Sequence, residues 1–297
     1  MPSAATVGRV PDVIVVGDVM TDVMVDADQL ARGGDVHGEV RVRPGGAGAN
    51  AAAWAAAAGA SVRLHGAVGD DLAGRVLRDA FIERGVEFVP RVDPKARTGA
   101  MLVVRQPGDR SMVAHRGANA TLTPEDLPAR LEATAVLVSG YLLFDPGSEA
   151  TALAALDRAA AETVAVDAAS WPLIGPYGHD RFLEATSKAS LLLANEREAE
   201  ALTGHAEGHL AAADLAARYG SACVKMAERG AVLVRPDGTS LTATADPVEE
   251  IESTGAGDAF DGTLLARVAM GDDLETALKA ACAAGARAAA SPEVWPQ

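Results

Sequence analysis

Apolar residues fall into two patterns along this chain, and the two patterns alternate. Short continuous runs such as "DVIVVGD" (Asp12 to Asp18), "SVRLHGAVG", "TAVLVSGY", "TVAVDAA", "SLLLANE" and "SACVKMA" read as strands buried on both faces. Between them lie stretches of helical spacing, among them "DLAGRVLRDAFIERG", "SEATALAALDRAAAE", "EREAEALTG" and "HLAAADLAARYG", many closed by a glycine suited to a helix C-terminus. This alternation predicts an α/β fold. Its central sheet is mostly parallel, with helices on both faces and ligands at the carboxyl ends of the strands.

Two segments break the rhythm. Asp22 to Arg43 and Thr98 to Gly117 alternate apolar with polar residues and carry turn signals at Gly33-Gly34 and Pro107-Gly108-Asp109. These are half-exposed hairpin patterns, and they predict a small β-sheet standing off the main one. No repeat or low-complexity linker divides the chain, so residues 1–297 read as a single domain with the hairpins, approximately 22–43 and 98–117, inserted in it.

Composition narrows the class. The formal net charge is −15, from 26 Lys plus Arg against 41 Asp plus Glu, which argues against a protein that coats nucleic acid or an anionic membrane. Aromatic residues are only 4% of the chain while alanine is abundant, so packing is expected to rest on close helix contacts. Cys223 and Cys282 each sit in an apolar run and read as buried free thiols of a reducing compartment. The start, "MPSAATVGRVPD", lacks the apolar core of a leader, and no later run is long enough to span a membrane. The expectation is a soluble cytoplasmic protein.

Several motifs are absent: a P-loop, a Gly-x-Gly-x-x-Gly after the first strand, and any Cys-x-x-Cys. "HAEGH" (His205 to His209) has its glutamate in the wrong place for a zinc helix and reads as a solvated turn. Three other stretches do carry candidate chemistry. In "STGAGDAF" the N–H groups of Gly255, Ala256 and Gly257 would point free at the start of a helix, forming an anion cradle, with Asp258 in its first turn. A carboxylate beside an anion hole makes sense as a base taking a proton from a hydroxyl that attacks a bound phosphoryl group. It is equally a residue that the helix dipole favours. "RPGGAGANAAAW" places Gly45, Gly46, Gly48 and Asn50 at a turn into an alanine-rich helix, which an ordinary strand-to-helix loop also explains. "LLLANERE" delivers Asn195 and Glu198 at the end of a buried strand, a spacing that is also a capping box.

Together, in this order and across nearly the whole chain, these stretches resemble the ribokinase-like, or PfkB, family of carbohydrate kinases. "GGAGAN" is similar to its first signature, "NERE" to its Asn-x-x-Glu motif, "STGAGDAF" to its second signature, and "VKMAERGA" to its nucleotide-side strand and turn. The resemblance implies ATP and Mg2+ as cofactors and a sugar as acceptor. Asp258 is then the base and the Gly255 to Gly257 amides the anion hole. Asp22, Gly45, Gly46 and Asn50 face the sugar, and Asn195, Lys225 and Gly230 serve the nucleotide. Glu198 holds hydrated magnesium. The hairpins become a lid that excludes water.

Departures from the family pattern matter too. Glu252 stands where the family commonly has an aspartate contributing to a monovalent-cation site, which leaves potassium dependence open. Ala227 replaces a frequent glycine in the nucleotide turn, and Met20 and Ala47 replace polar sugar contacts of ribokinase itself. Neither hairpin contains Phe, Tyr or Trp, so a free sugar or sugar acid is favoured over a nucleoside. Arg91, Lys95, Arg97, Arg105, Arg110 and Arg116 raise a sugar phosphate as an alternative, although edge protection explains exposed arginines as well. A non-catalytic sensor on the same fold is the remaining alternative. The exposed edges of the small sheet, by analogy with the family, predict a homodimer through the lid.

Overall fold

The computed structural model describes residues 10–107 and 109–296. Residues 1–9 of the start read for a leader and the turn residue Gly108 lie outside the described residues, as do the side chains of Asp109 and Arg110. Among the described residues the main sheet has nine strands. Their spatial order is Ser240–Ala243, Ala231–Val234, Ser221–Lys225, Leu191–Asn195, Thr163–Asp167, Ala135–Ser139, Val13–Val16, Val62–Gly69, Val86–Asp93. Pairing is parallel from Ser221–Lys225 to Val86–Asp93 and antiparallel at the other edge.

Successive residues of a central strand enter opposite cores, which is why these strands are apolar without a break. Val13 and Val15 pack with the helices Ala47–Ala57, Leu72–Glu83, Ala256–Ala269 and Leu274–Ala289, and Ile14 and Val16 pack with the helices on the other face. That second layer contains Glu149–Arg158, Glu196–Thr203 and Gly208–Tyr219. Cys223 and Cys282 are both free and buried. No helix among the described residues is long and apolar enough to cross a membrane.

The two alternating segments form a separate four-stranded sheet in the order Glu39–Gly45, Met20–Asp26, Gly99–Gln106, Asp109–His115. Its two hairpins are antiparallel, and the strands Met20–Asp26 and Gly99–Gln106 join them in parallel. The first hairpin extends beyond Asp22 and Arg43 to pair Met20 with Gly45, so this sheet grows directly from the mouth of the main one. Asp22 and Met24 are buried on its inner face, whereas Val40 and Val42 on the neighbouring strand are exposed.

Candidate active site

A cavity of about 700 Å3 opens along the carboxyl ends of the parallel strands and under the small sheet. Asp22, Gly46, Asn50, Asn195, Glu198, Lys225, Gly230, Gly255, Ala256, Gly257 and Asp258 all line it, from segments spread over the chain. Gly45 lies instead behind it, against the Asp22 carboxylate, where a Cβ would come within 2.2 Å of Asp22 Oδ1. Glu252 is buried beside the cavity, with its carboxylate already engaged.

The helix Ala256–Ala269 starts at Gly255, whose φ of +85° is a left-handed conformation that glycine adopts without a Cβ penalty. This turn also lets the Ala256 N–H donate to the Ser253 carbonyl at 3.2 Å. The expectation of three free amides is therefore corrected at Ala256, because the tight turn that creates the cradle engages one of its donors. Asp258 follows in the first helical turn. This helix approaches Ala47–Ala57 so closely that a Cβ at Gly262 would sit 2.1 Å from the Ala51 carbonyl oxygen. The contact brings Asn50 to Asp258, and Asn50 Nδ2 donates to Asp258 Oδ2 at 2.7 Å.

Asp258 is half-buried and opens on the cavity. Burial pushes its carboxyl up to about 7, the Asn50 hydrogen bond opposes the rise, and the charge on Asp167 adds to it. A carboxylate poised there accepts a proton near neutral pH. Asp22, between the sheets, is pushed up to about 6 by burial, while the Arg43 guanidinium 3.8 Å away pulls it back.

At the other end, Lys225 points its ammonium at Asp261, 2.7 Å away, and at Asp167, 3.3 Å away. Burial works against this charge, but Asp261, Asp167 and Glu198 outweigh it and hold Lys225 firmly protonated. Asn195 and Glu198 form a complete capping box: Glu198 N–H donates to Asn195 Oδ1 at 3.0 Å and Asn195 N–H to Glu198 Oε2 at 2.8 Å. The structure shows the capping reading of that motif, and the same carboxylate also lines the cavity. Burial and the nearby Asp167 raise the Glu198 carboxyl well above its usual range. No group of three or more His, Cys, Asp or Glu among the described residues forms a metal cage. The carboxylates at this end suit a hydrated cation whose other ligands are phosphates.

Glu252 Oε1 accepts from the Thr254 N–H and hydroxyl, and Oε2 accepts from Arg105 Nη1 at 3.1 Å. His205 and His209 flank Glu207, which caps the helix Gly208–Tyr219, as a turn rather than a metal site. Ala169 and Ala227, with φ of 68° and 50°, are the non-glycine residues of positive φ among those described, and both line the cavity. Strain of this kind gathers at binding sites.

Sequence reasoning missed Asp18, Tyr141, Asp167 and Asp261, three of which line the cavity while Asp261 sits beneath it, paired to Lys225. Asp18 and Asp167 end buried strands, and a charge at that position was the available signal. Arg116 belongs to the basic cluster noted in and near the second hairpin. Of the described side chains in that cluster it is the one that reaches the cavity, where Nη1 meets Asp18 Oδ2 at 3.2 Å while Nε and Nη2 are buried without hydrogen-bond partners. Met20, Met101, Met112 and Ala114 form an apolar wall beside it.

The pfkB family carbohydrate kinase profile matches residues 10–294. The bifunctional protein HldE of Azorhizobium caulinodans is 33% identical over 94% of this chain, which spans only 60% of that protein's length. Mouse ribokinase is 29% identical over 85% of this chain and 80% of its own. In structure, the chain is similar to adenosine kinase from Sinorhizobium meliloti, with a TM-score of 0.86 at 23% identity, covering 97% of this chain and 96% of that one. The fold, the order of the glycine turns and these likenesses agree: the chain belongs to the pfkB family of carbohydrate kinases and is an ATP-dependent kinase.

Proposed function

We propose that the chain phosphorylates a primary hydroxyl of a small sugar or sugar acid, with Asp258 as the base. The observation that carries this reading is a cavity-facing carboxylate, tuned to about 7, in the first turn of a helix that opens on a glycine. Asp258 removes the proton of the acceptor hydroxyl, and Asn50 holds the carboxylate in place. The Gly255 and Gly257 amides, joined by Ala256 once its turn relaxes, receive developing negative charge at the positive end of the helix. Asp22 and Asp18 accept hydrogen bonds from sugar hydroxyls, Gly46 leaves room for the ring, and the small sheet acts as a lid over it. Magnesium-bound ATP supplies the phosphoryl group. Glu198 and Asn195 would hold the hydrated ion, while Gly230 and the turn after Lys225 would border the nucleotide phosphates.

A nucleoside is the second reading, favoured by one observation. The wall of Met20, Met101, Met112 and Ala114 is apolar and adaptable, and thioethers make favourable contacts with aromatic rings. An ATP-consumption assay over free sugars, sugar phosphates and nucleosides separates these acceptors. Asp258→Asn is expected to retain ATP binding while turnover falls by roughly 10²- to 10⁴-fold. Near-normal turnover in that variant removes Asp258 from the role of base, and ligand-induced stabilisation with no turnover in the whole panel favours a sensor.

A further inference from the structure

The base is held through a chain of two hydrogen bonds that starts at the far end of the sequence. Trp295 Nε1 donates to Asn50 Oδ1 at 2.9 Å, and Asn50 Nδ2 donates to Asp258 Oδ2 at 2.7 Å. An amide has one acceptor and one donor end, so only one orientation satisfies both neighbours. Trp295 and Asn50 are almost fully buried, at 4% and 3% exposure, so water does not replace either partner. The indole is itself fixed: it packs on Phe81 with ring centroids 4.9 Å apart, and the Arg84 guanidinium lies 4.9 Å from its centre.

The rest of the C-terminal segment is strapped across the same place. Trp54 Nε1 donates to the Val294 carbonyl at 2.7 Å, Arg43 of the small sheet donates to the Pro292 carbonyl, and the Val294 side chain packs on Gly255. The segment Pro292 to Trp295 lies in none of the kinase-like motifs of the sequence.

We propose that Trp295 is a positioning residue, whose indole N–H holds the Asn50 amide in the one orientation that presents Nδ2, rather than Oδ1, to Asp258. This rests on the reading of Asp258 as the base. With the N–H removed, the amide is free to turn and offer Oδ1, an acceptor that only a protonated Asp258 can donate to. Loss of that single donor therefore favours the proton on the base and leaves less of it ready to act. The other charges that face Asp258 stay where they are: Asp18 after the first strand, Asp167 and Lys225 at the ends of two others, and Asp261 on its own helix, with the Tyr141 hydroxyl also close.

The test is the titration of Asp258 in the full-length protein, followed by carboxyl 13C NMR with 13C-labelled aspartate and assigned by the signal missing in Asp258→Asn. Trp295→Phe keeps an aromatic ring against Phe81 and removes the donor. The midpoint is expected to rise by about one pH unit, with a roughly tenfold smaller ionised fraction well below the midpoint. Benzothienylalanine at position 295 replaces the indole N–H by sulfur at nearly the same shape, and it decides the matter if Trp295→Phe does not fold. An unmoved midpoint in the folded variant, even with a lowered melting temperature, overturns the proposal and leaves Trp295 a packing residue. If the midpoint is unmoved while Asp258→Asn abolishes turnover, this inference alone fails; if Asp258→Asn turns over normally, the base assignment fails whatever Trp295 does.

Discussion

Arg105 Nη1 lies 3.1 Å from Glu252 Oε2, joining a strand of the small sheet to the segment that leads into the Gly255 turn. The same guanidinium holds Asp26 Oδ2 at 2.7 Å, so one cation serves carboxylates on both sides of the cleft. Burial raises the Glu252 carboxyl, but its bonds with Thr254 and the charge of Arg105 more than offset this and keep it ionised. Where the family pattern suggested a monovalent cation, a fixed guanidinium already neutralises the charge. Turnover is expected to be the same, within about twofold, in potassium and in tetramethylammonium buffers, and a strong potassium requirement would sink this reading. Arg105→Met should cost about 2 kcal/mol of stability, the order of an unsatisfied buried group, measurable by urea unfolding.

The activity profile should show one acidic limb set by Asp258. Its carboxyl sits at about 7, and the base works only when ionised. Below that value kcat/KM is expected to fall about tenfold per pH unit, as for any single required ionisation. A plateau extending to pH 5 would exclude Asp258 as the group that must lose a proton.

Stability should move the other way from activity over the same range. Asp258 and Asp22, at about 7 and about 6 in the folded chain, and the raised Glu198 hold protons more tightly than in the unfolded chain. Their contribution is fully present below the unfolded carboxyl values and is lost as pH rises through the folded ones. His65 opposes them: burial pushes it down to about 4, so its contribution is lost as pH falls through that value. Three carboxyls against one imidazole predict a higher melting temperature at pH 5.5 than at pH 8. Asp258→Asn should flatten this slope; a wild-type melting temperature that climbs from pH 5.5 to 8 contradicts it.

Lys225, expected from the resemblance to serve the nucleotide, is paired in the structure as a framework residue. Its ammonium is 2.7 Å from an Asp261 carboxylate that is only 2% exposed, as a side chain. Lys225→Met strands that charge and should destabilise the fold by about 3 kcal/mol. Lys225→Met with Asp261→Leu removes both charges and should recover most of the loss in urea unfolding. If the single variant is as stable as the parent, the pair is not the anchor that its geometry indicates.

The outer face of the small sheet is the candidate dimer surface, with Val40 61%, Val42 67% and Val113 64% exposed. Light scattering at micromolar concentration is expected to give twice the mass of the chain, and Val42→Lys with Val113→Lys half of that. A monomeric parent would refute it.

Some of this was legible in the sequence because it is local chemistry. Unbroken apolar runs named the central strands, since a residue between two helical layers has no polar side to show. Alternation marked the two hairpins, and the glycine turn ahead of Asp258 marked the start of the helix that brings this carboxylate to the cavity. The edge strands Val86–Asp93 and Ser240–Ala243 escaped because edges carry polar residues, and Pro90 interrupts the first of them. What only the tertiary structure decided is which distant side chains meet. Glu252 looked like a departure at a cation site until Arg105, 147 residues earlier, was found on it. Trp295 carried no signal at all, for a hydrogen bond to Asn50 across 245 residues depends on how helices pack and not on any spacing along the chain. Local pattern determines which element a residue joins and what chemistry it brings. Its partner and the proton affinity that results come from burial, and burial exists only once the chain has closed around the site.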